Sequence, residues 1–109
     1  MRYLVATNAN DPGPLPIQDP QARGVFLREV VLPSLETLVR LESEGKILAG
    51  GVRVGVRAIT FVVEADSNRE LDEMLHDLPL WGVSRMEVTP LQPIAERLEY
   101  ERRLAERVG

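Results

Sequence analysis

The chain is expected to fold as an α+β domain with the order strand, helix, strand, strand, helix, strand, followed by one more helix. Three features carry that expectation. Ala58-Ile59-Thr60-Phe61-Val62-Val63 is an almost unbroken run of β-formers. Ser67-x-x-Glu70 is a capping box, and Leu71, Met74, Leu75 and Leu78 follow it along one helical face. Prolines and glycines fall where one element must give way to the next.

Residues 2–6 read as the first strand. Asn8 to Pro16 is dense in prolines and turn formers, and proline lacks a backbone donor, so this stretch is expected to be loop. Loops this long serve as lids or binding segments, or simply as mobile connectors; either role fits residues 7–19. Asp19-Pro20 restarts order as an N-cap with proline at the first helical position. Leu27, Val31, Leu35, Leu38 and Leu41 then recur at helical spacing, with Val30 and Val39 widening the stripe. Pro33 should kink or break this helix, and Gly45 should end it.

Lys46–Val54 and Arg57–Ala65 read as a hairpin with Gly55 in its turn. Gly50-Gly51 within the first of these strands suggests a bulge or a close backbone approach. The capped helix stops at Pro79, and Arg85–Thr89 forms the fourth strand. Pro93 opens a charged helix running to about Arg107, supported by Glu99 and Arg103 four residues apart. The order is the split βαβ, or ferredoxin-like, arrangement: a four-stranded antiparallel sheet with both main helices on one face. Strands such as Ala58–Val63 are apolar on both sides, so the other face should also lose water. A second copy is the simplest cover, which predicts a homodimer.

The 109 residues make one domain, spanning 1–109, long enough to bury a core. The absence of cysteine excludes a disulfide framework and a thiolate nucleophile, and His76 as the single histidine argues against a metal or haem centre. A net charge of -4 argues against nucleic acid. Tyr3 and Phe61 sit on strands that carry base-stacking aromatics in RNA-recognition domains of this strand order, but no basic surround accompanies them. No apolar run approaches the ~20 residues of a membrane span, and no signal peptide opens the sequence, so a cytoplasmic location is expected.

One stretch resembles a known family. Gly45-Lys46, Val54-Gly55, Ala58, Ser67-Asn68, Glu70-Leu71, Leu75, Leu78-Pro79-Leu80 and Val88-Thr89-Pro90-Leu91 keep the register of muconolactone isomerases without gaps from Gly45 to Leu91. The resemblance implies a dimeric αβ barrel able to assemble further. It also implies a cofactor-free proton shift within an unsaturated lactone, in the breakdown of catechol-type aromatics. The family carries histidine, tryptophan and arginine on the strand after Gly-Lys and a carboxylate after the turn glycine. This chain has Ala49, Gly51, Val52 and Val56 there, and Leu4 or Val5 in place of a first-strand histidine.

Such chemistry needs a base near the acidic carbon and positive charge near the developing enolate. On the last strand Met86 and Val88 suit the helix-packed core, which turns Arg85 and Glu87 toward the other face. Glu87 is the candidate base and Arg85 or Arg53 the candidate enolate stabiliser, with Tyr3 joining them and Trp81 walling the pocket. The same Arg85, Glu87 and Arg53 also suit interface ion pairs, and Trp81 suits a dimer contact. His76 reads as a solvated surface residue. Two functions therefore stand open: an isomerase, or a catalytically silent ligand-binding or dimerisation module on the same scaffold.

Overall fold

The sheet is antiparallel, with strand order β2-β3-β1-β4. It is built from β1 (Arg2–Ala9), β2 (Ile47–Val52), β3 (Ala58–Glu64) and β4 (Ser84–Leu91). This computed structural model describes residues 1–9, 19–56 and 58–109, so the core of the expected lid loop lies outside the described residues. β1 is longer than the sequence suggests. It is the central partner of both β3 and β4, and Thr7 and Asn8 are paired on both sides. Pairing on two flanks overrides the weak strand preference of asparagine.

The first helical region runs as α1 (Pro20–Phe26), a π-helical turn (Leu27–Val31) and α2 (Leu32–Ser43). Asp19 caps it, its Oδ1 accepting the Gln21 N–H at 3.0 Å. Pro33 neither breaks nor stops this helix. Its ring would crowd the carbonyl four residues earlier, and it has no N–H to offer that carbonyl. The turn before it is wound one residue wider, with the Leu32 N–H reaching back to the Leu27 carbonyl. Gly45, at φ 79°, ends α2 as expected.

The capping box forms at α3 (Asn68–His76). Ser67 Oγ accepts the Glu70 N–H at 3.1 Å, while Glu70 Oε2 reaches one residue further back, to the Asp66 N–H at 2.8 Å. Leu71, Leu75 and Leu78 then bury against Tyr3, Val5, Phe61 and Val63 of the sheet, joined by Leu41 of α2 and Ile47 of β2. Both helices thus cover one face, as the element order requires. The apolar stripe of α2 is narrower than its spacing implies: Leu41 is buried, but Val39 is 65% exposed.

Proline at Pro79 stops α3 and opens a short 3-10 turn (Pro79–Val83) leading into β4. This turn is tied to α2 by a single buried group. Ser34 is wholly buried, and its Oγ accepts the Leu80 N–H at 3.0 Å. Ser34→Ala leaves that N–H without a partner and is expected to cost about 1–3 kcal/mol. Urea titration should show a lower midpoint with an unchanged slope.

After β4 the chain forms α4 (Ile94–Val108), none of whose residues is buried. It makes no extensive contact with any other described element. The molecule consequently measures 66 × 28 × 23 Å. The expected Glu99–Arg103 pair is replaced by Arg97–Glu101 at 2.7 Å and Arg102–Glu99 at 3.8 Å.

Candidate functional site

Strand register decides which side chains share the face that no helix covers. Tyr3, Val5 and Thr7 of β1 lie opposite Val63, Phe61 and Ile59, and all belong to the helix-packed side. The alternate set forms the other face. Asn8 stands across from Arg85, Ala6 from Glu87 and Leu4 from Thr89. On the β3 side the same three residues meet Ala58, Thr60 and Val62, and beyond them Gly51 and Ala49 complete the rows. Directly opposed residues hold their Cβ atoms about 4.5–5.5 Å apart, so Asn8 faces Arg85, and Glu87 lies diagonally from Asn8 at about 7–8 Å.

The face is graded. Leu4, Ala6, Thr60 and Val62 are half-buried even in the single chain, whereas Asn8, Arg85, Glu87 and Thr89 are exposed. Polar groups therefore gather on the β1–β4 half, at the end where Asn8 and Arg85 lie. No salt bridge joins Arg85 or Glu87 to another described residue. An arginine and a carboxylate stand side by side on this face, beside the amide of Asn8.

Two of the expected site residues are elsewhere. Tyr3 is 2% exposed on the helix-packed side, and its hydroxyl donates to Asn68 Oδ1. β1 is apolar on both faces, so alternation alone left its register ambiguous, and a one-residue slip inverts every side chain. Tyr3 thus belongs to the core, with Asn68 at the start of α3 accepting its hydroxyl. Arg53 lies just past β2, its N–H donating to the Ala58 carbonyl at 2.8 Å. It continues the Ala58–Asn8–Arg85 row but on the far edge, roughly 14 Å from Arg85 by three strand spacings. Within one chain the two arginines do not meet.

Trp81 sits in the 3-10 turn, at the end of the sheet where Ser84 pairs with Ala9. It is 44% exposed, and its ring stacks on His76 with centroids 3.7 Å apart and planes 27° from parallel. His76 is exposed, as its place off the apolar stripe implies, but Trp81 covers one of its faces. The sequence signals neither this stack nor the buried Ser34 tether that holds the turn. Asn8 was hidden inside the proline-rich segment. Among the described residues no group of three or more histidine, cysteine or carboxylate side chains is arranged to hold a metal. No helix there is long and apolar enough to cross a membrane.

A four-stranded antiparallel sheet with helices packed on one face and the other face uncovered defines a small α+β domain. The muconolactone delta-isomerase family model matches residues 1–96, and the chain belongs to that family. Its backbone is similar to the crystal structure of a muconolactone isomerase solved at 3.3 Å, with a TM-score of 0.66 and 25% sequence identity over 86% of this chain and 93% of the other. It also shares its fold with a 5-chloro-2-hydroxyhydroquinone dehydrochlorinase from Burkholderia phenoliruptrix bound to 2,5-dihydroxybenzoquinone, with a TM-score of 0.57 and 18% identity over 84% of this chain and 94% of that one. No curated protein sequence matches the chain.

Proposed function

We propose that this protein is a cofactor-free isomerase that moves a proton within a small unsaturated lactone or a related unsaturated carboxylic acid. The observation that carries the reading is the cluster of Glu87, Arg85 and Asn8 on the uncovered face, in a chain of the muconolactone isomerase family. Glu87 takes the proton from the carbon at the far end of the conjugated system, and the electron pair passes through the double bond into the carbonyl to give a conjugated enolate. Arg85 and the Asn8 amide supply positive charge and a hydrogen-bond donor to the enolate oxygen. The Glu87 carboxyl exchanges its proton with solvent and then delivers a proton to the carbon beside the carbonyl. The double bond has moved, and the base ends as it began.

In this reading the enzyme works in the cytoplasm as a homodimer. The half-buried Leu4, Ala6, Thr60 and Val62 support a second copy of the sheet as the cover. That cover would exclude water and strengthen the charge interactions that the chemistry needs. Arg53 and Trp81 would contribute at the margins of the cleft, by binding substrate.

A catalytically silent ligand-binding or dimerisation module is the second reading. It is favoured by β2, which brings only Ala49 and Gly51 to the same face and so adds no ionisable group. Turnover of muconolactone, followed by ultraviolet absorbance, separates the two. The proposal expects a rate proportional to protein concentration. A lactone that raises the melting temperature but is never turned over, here or across a panel of small lactones, points to the silent module.

A further inference from the structure

We infer that Ala6 and Thr60 seat the substrate in the site proposed above: a single flat ring rests on the Ala6 methyl, and the Thr60 hydroxyl donates to a substrate oxygen on the β3 side. This rests on the isomerase reading only in placing a small lactone beside Glu87. Gly51, Thr60, Ala6 and Glu87 stand in one row across the uncovered face, one from each strand.

Ala6 has the smallest side chain that β1 brings to this face, and Leu4 and Asn8 stand two residues either side of it. The Cα atoms of Leu4 and Asn8 are about 13 Å apart along the strand, and those of Thr60 and Glu87 about 10 Å apart across the sheet. The middle of the face is therefore a shallow hollow with a methyl floor. Ala6 and Thr60 are half-buried although they face away from α2 and α3, which fits floor positions among taller neighbours. Atoms in contact sit about 3.5–4.0 Å apart, so a width of about 10 Å takes one five- or six-membered ring between its two walls. A ring lying flat there turns the C–H bond to be broken perpendicular to the sheet. The long Glu87 side chain reaches over the ring to that bond, in the alignment that enolate formation needs.

The hydroxyl supplies the orientation. Thr60 is the one hydroxyl residue that β3 brings to this face, between Ala58 and Val62. Its row neighbours Ala6 and Gly51 carry no polar side-chain atom, so neither accepts its proton. Valine has the same shape and is as good a strand former, and it would spare the cost of taking a hydroxyl out of water when the face is covered. A substrate oxygen at this point offsets that cost. With Arg85 and Asn8 holding the carbonyl on the β1–β4 side, the ring is then gripped from two directions.

The test uses the saturated analogue of muconolactone, which has no double bond to move, titrated by calorimetry into the full-length protein. Ala6→Leu raises the floor and is expected to weaken binding roughly tenfold or more. Ala49→Leu is the same enlargement at an exposed position on the same face, about 12 Å away, and should leave the affinity within about twofold of wild type. Thr60→Val should weaken binding roughly threefold to tenfold, the worth of one hydrogen bond, and Thr60→Ser should restore most of it. The inference is overturned if the analogue does not bind, if Ala6→Leu and Ala49→Leu weaken it alike, or if Thr60→Val binds it as tightly as wild type. The expected pattern of affinities without any turnover of muconolactone would keep this seat and remove the isomerase reading. Turnover that neither Ala6→Leu nor Thr60→Val alters would do the reverse.

Discussion

Glu87→Gln is expected to lower turnover of an unsaturated lactone by about 10²–10⁴-fold, the usual range for removing a positioned general base. The substitution keeps the shape and the hydrogen-bonding capacity of the side chain but removes its ability to accept a proton. Substrate binding should change little, so the loss falls on kcat rather than KM. Glu87 is exposed on the uncovered face and sits in no buried network, so the folded chain should tolerate the change. Arg85→Met tests the partner role, since it removes the charge near the enolate oxygen and keeps an unbranched side chain. Its expected loss is about 10²–10³-fold, comparable to removing one oxyanion donor. Equal activity in wild type and Glu87→Gln would reassign Glu87 to an interface ion pair.

Gly50→Ala is expected to be the most damaging single methyl group in the protein. Gly50 has φ of 153°, and a Cβ there would lie 2.6 Å from both Phe61 Cβ and the Thr60 carbonyl oxygen. It follows the irregularity in the β2–β3 ladder between Ile47 and Ala49, where the backbones approach closely. Phe61 is a core residue and cannot retreat without opening the sheet. Strain and overpacking together should cost about 3 kcal/mol or more. For a domain of this size that lowers the melting temperature by roughly 12 °C or more. The neighbouring Gly51→Ala meets nothing within 4 Å and should stay within about 0.5 kcal/mol of wild type. Similar losses at both positions would refute the steric account.

The contrast between these two glycines shows what a sequence discloses. Gly50-Gly51 within a strand announced a bulge or a close approach, but only the register with Phe61 reveals which glycine is indispensable. The capping box, the turn glycines Gly45 and Gly55, and the alternation of β4 were legible because each is a local rule. The direction of Arg85 and Glu87 follows from that alternation, since Met86 and Val88 have one sensible side. β1 offered no such contrast, and Tyr3 went to the core instead of the cleft. Pro33 is expected from sequence to kink or break the helix, and the wider π turn that lets the helix continue carries no signature in the residues that form it. The Ser34 tether joins groups 46 residues apart, the His76–Trp81 stack depends on how the chain turns at Pro79, and their residue types are ordinary at such positions. The separation of Arg53 from Arg85 depends on strand order, which fixes distance across a sheet and is invisible along the chain.

The most direct measurement of the proton-transfer role is solvent isotope incorporation. The protein is incubated with muconolactone in deuterium oxide, and the products are followed by proton NMR. The account predicts deuterium at the carbon that receives the proton, at a rate set by protein concentration and all but lost in Glu87→Gln. Exchange that proceeds equally with Glu87→Gln, or does not exceed the protein-free rate, would contradict it.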